Sequence, residues 1–133
     1  MKNIYLAGRL DTGEGHIGEF SEELESRGHT VIEKWFVEGR LPKPYLDNVD
    51  TSAPAAEAML WAAYQSDVFI LHPTDDILGA AVEFGAALAS TEGREDKKVI
   101  VVNPFEVRQS VFYAHPAVIA VRGLAEIRSQ QWY

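Results

Sequence analysis

The chain has 133 residues, 47% of them hydrophobic and 24% charged, with a formal net charge of −8 and no cysteine. That length suits one buried core, so residues 1–133 are expected to form a single domain. The missing cysteine excludes a disulfide framework, a thiolate zinc site and a cysteine nucleophile, and the acidic balance with scattered Lys and Arg opposes a nucleic-acid polymer as partner.

No stretch approaches the roughly 20 consecutive apolar residues of a membrane span. Residues 1–10 lack the charged, long apolar and small-residue segments of a secretory signal, so no membrane partner and a cytoplasmic location are expected. The first apolar, β-rich run covers residues 4–7, followed by helical character at 14–27 and a second strand predicted at 30–35. An unpatterned stretch at 37–52, with Gly39, Pro42, Pro44 and Asp50, has the length of a functional or mobile loop; it leads to a helix at 54–65. A third strand at 68–71 passes through Pro73, Thr74, Asp75 and Asp76 into a helix at 79–91. The fourth run, 99–102, precedes weaker helical character at 106–113, and the fifth, 118–121, precedes a last helix at 124–129. The third and fourth runs, VFIL and VIVV, are continuously hydrophobic, as parallel strands covered on both faces should be. The alternation predicts an α/β fold with a five-stranded, parallel, doubly wound sheet of flavodoxin-like or Rossmann-like type. Ligands of such sheets bind outside the carboxyl ends of the strands, which places the chemistry in the segments after Ala7, Trp35, Leu71 and Val102.

The segment ILGAAVEFGAALA, residues 77–89, is apolar or glycine at every position but Glu83. Burying an unpaired carboxylate is costly. Its neighbours three and four positions away, Gly79, Ala80, Ala86 and Ala87, are all small, leaving a hollow above the carboxylate wide enough for another molecule. Glu83 falls in the first two turns of its helix, where the dipole favours ionisation while apolar surroundings raise its pKa and nucleophilicity. A second reading stays open, in which Glu83 is a dipole partner or pairs with an arginine such as Arg9 and the alanines serve close packing.

The loop GRLDTGEGHIGEF, residues 8–20, is rich in glycine and opens a helix, so its amides can cradle a sugar or a phosphate; Gly8 and Arg9 are candidate binding residues, and Arg9 favours a phosphate. Against a phosphate stand Asp11, Glu14 and Glu19, and neither dinucleotide nor Walker spacing is present. The four histidines, His16, His29, His72 and His115, show no metal-binding spacing, so no metal is expected.

With IYLAG near the start, SDVFI opening the third strand and GAAVEFGAALA on the next helix, most of the chain resembles the nucleoside 2-deoxyribosyltransferase family and its relatives, the deoxynucleoside monophosphate N-hydrolases. The core of the match is G-x-x-x-E-x-G-x-A, here Gly79, Glu83, Gly85 and Ala87. The resemblance implies a flavodoxin-like sheet, a nucleoside or nucleotide as small-molecule partner, no cofactor, and a homo-oligomer. It implies that Glu83 attacks the anomeric carbon to form a glycosyl-enzyme ester, resolved by a second nucleobase or by water, with Tyr5 orienting the carboxylate. Deoxyribosyl transfer is the expected activity, with a nucleoside monophosphate N-glycosidase or a nucleotide-binding module without turnover as alternatives.

Two positions depart from the family. Met59 stands eight residues before Asp67, where the family carries an aspartate that helps bind substrate, and Ile77 stands six before Glu83, where transferases often have Asp and nucleotide hydrolases Ser. Asp76, one position away, can take the second role or act as an N-cap or turn residue. His72, ending the third strand, is a candidate proton donor to the leaving base or a satisfied strand-end histidine. Asn103, ending the fourth, can contact a ligand or serve a turn. In SQQWY, the resemblance implies a role for Tyr133, since some family members place a terminal tyrosine carboxylate into an active site, often across a subunit boundary; otherwise Trp132 and Tyr133 seal the core or a dimer contact. Trp35, Phe36 and Trp61 are expected in the core, with flat faces able to stack a base.

Overall fold

The computed structural model describes residues 1–8, 17–37 and 40–133. Strands β1 (Asn3–Gly8), β2 (Thr30–Val31), β3 (Val68–His72), β4 (Lys98–Val102) and β5 (Val118–Val121) form one parallel sheet in the order β2-β1-β3-β4-β5. This is the flavodoxin-like order of a doubly wound α/β protein. Helices α1 (Ile17–Ser26) and α4 (Leu124–Arg128) cover one face, and α2 (Val49–Gln65) and α3 (Gly79–Ala89) cover the other.

The continuous apolar runs of β3 and β4 are continuous because both faces are buried. Val68, Ile70 and Ile100 pack with Phe20 and Leu24 of α1 and Ile127 of α4, whereas Phe69, Leu71 and Val101 pack with Ala62 and Ala63 of α2 and Phe84 and Leu88 of α3. On the second face Tyr5, Phe69, Phe84 and Tyr113 form an aromatic row, with successive ring centroids 5.9, 6.3 and 5.8 Å apart. The C-terminal end of α2 is held by Lys97, whose Nζ donates to the carbonyls of Ala63 and Tyr64 at 2.9 and 2.8 Å, a cation placed on the negative end of the helix dipole.

Three elements differ from the pattern in the sequence. The strand predicted at 30–35 stops at Val31 because Glu33 adopts a left-handed φ of 48° and turns the chain. The ladder, continued by the Ile32 amide to the Ile4 carbonyl, is then completed by a side chain, the Trp35 indole donating to the Leu6 carbonyl at 2.7 Å. The helix predicted from 54 begins earlier, at Val49, with Pro54 inside it. Proline there removes the partner of the Asp50 carbonyl, which is tolerated because Asp50 is exposed and water can serve that carbonyl. The helical character at 106–113 resolves into two 3₁₀ turns, Pro104–Glu106 and Val111–Ala114. Between them Val107 is extended, and the Ser110 hydroxyl accepts from the Phe112 amide, a local bond that competes with a continuous helix.

Tyr133 is fastened to the end of the molecule where α1 runs into β2: its carbonyl accepts from Arg27 Nε at 2.9 Å and its hydroxyl bonds Glu23. Among the described residues no helix is long and apolar enough to cross a membrane.

Gly8 ends β1 opposite His72 with φ +113°, and a Cβ placed there would lie 2.1 Å from the His72 carbonyl oxygen. Gly8→Ala is therefore expected to cost at least about 3 kcal/mol, read as a lower denaturant midpoint at unchanged m-value. Gly79→Ala, whose added methyl meets nothing, should keep the midpoint of the parent.

Candidate active site

The chain leaves β1 towards α1 on one face of the sheet and leaves β3 towards α3 on the other, so a crevice opens between the two strand ends. A cavity of about 360 Å³ occupies it. Gly8 lies on its wall, together with Gly79, Ala80 and Glu83 of α3 and Met59 of α2. The segment after β2 closes another side with Trp35, Arg40, Leu41, Lys43 and Tyr45. Of the small neighbours of Glu83, Gly79 and Ala80 border this space, whereas Ala87 is fully buried against the sheet. The hollow over the carboxylate thus opens towards the N-terminus of α3, where a side chain at Gly79 would begin to fill it.

Tyr5 rises from β1 beneath this carboxylate and is completely buried; its hydroxyl is close enough to Glu83 to bias the carboxyl towards ionisation but falls short of a well-formed hydrogen bond, and it has no other partner among the described residues. Burial pushes Glu83 up to about 7, against a smaller downward influence from the nearby Tyr5 hydroxyl. Burial pushes Tyr5 up as well, reinforced by the negative charge of Glu83 and then of Glu33. Tyr5 accordingly remains a protonated donor through the neutral range, while Glu83 exchanges its proton near neutrality. A buried donor without a partner, beside a carboxylate facing open space, is a place where a ligand atom or water would be satisfied.

The remaining candidates are distributed unevenly. Asp76 is exposed and lines an adjoining hollow with Gly8, Ile77 and Ala80, while Asp75 accepts the Arg108 amide at 2.7 Å and is committed to holding that loop. Met59, at the position where the resemblance implies an aspartate, puts a thioether on the wall of the Glu83 cavity. His72 and Asn103 are brought together, but not with Glu83: they line a separate hollow with Val102 and Leu124, on the α1 and α4 side of the sheet. Burial lowers His72 to about 4, so it is a neutral imidazole at neutral pH, with Nε2 unpartnered among the described residues. Asn103 adopts a left-handed φ of 50° and spends its side-chain amide on Glu106 at 3.0 Å, which is the turn role. Arg9 and the loop through His16 lie outside the described residues. Tyr133, bonded to Arg27, is not on the wall of the cavity of its own chain. Trp61, expected in the core, is 60% exposed on α2.

A larger groove of about 720 Å³ runs between α3 and the turns before β5, lined by Phe84, Leu88, Phe112 and Tyr113. Glu83 is not on its wall, so size and chemistry point to different hollows, and the ionisable pair marks the smaller. Among the described residues no three His, Asp or Glu side chains converge as a metal centre needs.

Sequence patterns did not single out Arg40, Lys43 and Tyr45, although the stretch that carries them stood out by its length. The signal was present as two cations and an aromatic residue alternating with prolines just past a strand end. No family model matches the chain, and no curated protein or solved structure matches it. Fold and site together define a doubly wound α/β protein with a carboxylate-bearing crevice between β1 and β3.

Glu83 holds its proton in the folded state between its unfolded value of 4.5 and about 7, so its contribution to stability is full below 4.5 and is lost as pH rises through 7. Glu83→Gln, which mimics the protonated acid, should match the parent in acid and exceed it by about 3 kcal/mol above about pH 8, measured by denaturant unfolding across pH.

Proposed function

We propose that the protein exchanges or cleaves the N-glycosidic bond of a deoxynucleoside, as a nucleoside 2-deoxyribosyltransferase-like enzyme with Glu83 as nucleophile. The observation that carries this reading is the Glu83 carboxylate, pushed up to about 7 beside the orphan Tyr5 hydroxyl and open to a cavity at the β1/β3 crevice. The resemblance in IYLAG and GAAVEFGAALA supplies the reaction class.

In this mechanism an ionised Glu83 oxygen bonds the anomeric carbon as the carbon–nitrogen bond breaks and the base departs, taking up a proton. The positive charge that develops on the sugar is offset by the carboxylate, whose apolar surroundings leave it little solvated and so more nucleophilic. Tyr5, still protonated, donates to the carboxylate oxygen and holds it in line. A second base, or water, then attacks the anomeric carbon from the vacated side, breaks the ester and returns Glu83 to its carboxylate form. A cavity of about 360 Å³ falls in the range of small-molecule sites, ~300–1,000 Å³. Exposed Leu60, Trp61 and Tyr64 of α2 and Val82 of α3 supply apolar surface that supports a homo-oligomer.

A second reading is favoured by Met59. A thioether on the cavity wall, in place of an acid, suits a nucleotide-binding module that retains the pocket without turnover.

Purified protein incubated with each deoxynucleoside and its monophosphate, with and without a second free base, is expected to release or exchange base, followed by chromatography. Glu83→Ala should abolish release while the fold persists; an active Glu83→Ala protein, or a silent wild type that still binds nucleosides, would overturn the enzyme reading. The wild-type kcat/KM should climb about tenfold per pH unit below about 7 and level off above it, since only ionised Glu83 attacks. Tyr5→Phe removes the influence that lowers Glu83, so its profile should turn over at higher pH, with kcat reduced on the order of 10- to 100-fold.

A further inference from the structure

We infer that the groove between α3 and the turns before β5 is a second binding site, separate from the Glu83 cavity, and that it takes an uncharged planar heteroaromatic molecule whose ring carries a hydrogen-bond acceptor. Nothing in this depends on the chemistry proposed at Glu83.

The groove holds about 720 Å³, twice the space of the Glu83 cavity, and the two share no lining residue among those described. Its α3 side is the stripe Ile77, Ala81, Phe84 and Leu88, three and four positions apart, whereas Gly79, Ala80 and Glu83 border the other hollow. The rings of Phe84 and Tyr113, with centroids 5.8 Å apart and tilted by 51°, belong to both the core and the groove wall. Phe112 adds a third ring that is 60% exposed. Flat apolar faces of this kind match a planar ring, by stacking or edge to face.

Tyr113 decides what the ring must carry. The residue is only 8% exposed, and burial alone raises its pKa, with no charge or side-chain hydrogen bond acting on it. It therefore stays a protonated donor at neutral pH, bordering the groove with its hydroxyl unspent among the described residues. Thr91 and Gln109, by contrast, spend their donors on the carbonyls of Leu88 and Pro104, each at 2.6 Å. A water on the Tyr113 hydroxyl has few other partners among apolar walls, so an acceptor on an apolar ring displaces it with a gain. The charges on the wall disfavour an anion, since Arg108 is accompanied by Asp75 and Glu92 in a chain of net charge −8. A cation would meet those carboxylates but offers nothing to a phenol donor.

The test follows backbone amide shifts while the protein is titrated at neutral pH with quinoline and with naphthalene, fused rings of one shape of which only quinoline has an acceptor nitrogen. Quinoline is expected to shift the amides of residues 84–85 and 109–115 and to bind about fivefold more tightly than naphthalene. Tyr113→Phe should erase that preference, keep naphthalene affinity within about twofold and leave the unfolding midpoint at the parent value, since the hydroxyl it removes has no described partner. Gly85→Leu, which grows from the groove wall where an added Cβ meets nothing, should block both probes without lowering the midpoint. Glu83→Gln should leave both affinities within about twofold, because the two hollows are separate. Equal affinities, a quinoline preference that survives Tyr113→Phe, or shifts centred on the Glu83 cavity would overturn the site. So would a dimer, seen by sedimentation, that Gly85→Leu dissociates, because the groove would then belong to a second copy of the chain.

Discussion

The unbroken parallel pairing of β1 with β3 is the constraint on which the site depends. Five register pairs, from Ile4 opposite Val68 to Gly8 opposite His72, bring the two strand ends level at the carboxyl edge. The last pair is so close that no side chain fits at Gly8. Because α1 lies on one face of the sheet and α3 on the other, the crevice between the two strand ends is a product of topology before any side chain is considered. The pairing also sets the parity of β1, so that Tyr5 and Ala7 face α2 and α3 while Ile4 and Leu6 face α1 and α4.

That parity delivers a phenol to a carboxylate. Tyr5 stands in the aromatic row with Phe69 and Phe84, and such a floor offers Glu83 little solvation. The result is a carboxyl group near 7 and a hydroxyl without a partner, two unfavourable features of the folded state placed side by side. Structures that keep such features at a cost in stability generally do so where they bind or react. Trp35 connects the site to the fold, since its indole occupies the Leu6 carbonyl that a longer β2 would have used and its ring forms part of the cavity wall. The early end of β2 thus frees the segment that carries Arg40 and Lys43.

Several elements were legible because their residues report their surroundings directly. VFIL and VIVV read as strands buried on both faces, and Glu83 stood out as the sole charge in an apolar helix. Other elements were decided by competition that a local pattern does not contain. Residues 30–35 have strand composition throughout, yet a left-handed Glu33 and a side-chain donor ended the ladder at Val31. The helix expected at 54–65 begins earlier, at Val49, because solvent at the exposed Asp50 can serve the carbonyl that Pro54 leaves unpaired. His72 and Asn103 end strands as expected, and only the alternation of faces sends His72 away from Glu83.

By itself the sequence determined the alternation of strands and helices, the doubly wound parallel class and the anomaly at Glu83, because hydrophobic periodicity and the cost of a buried charge are local properties of the chain. Only the tertiary structure decided that Arg40, Lys43 and Tyr45 close the wall of the Glu83 cavity, that His72 and Asn103 line a different hollow, and that Trp61 is exposed. Those outcomes depend on which residues far apart in the chain meet. They follow from strand order, register and side-chain parity, which are set by packing both faces of the sheet at once and not by any one segment.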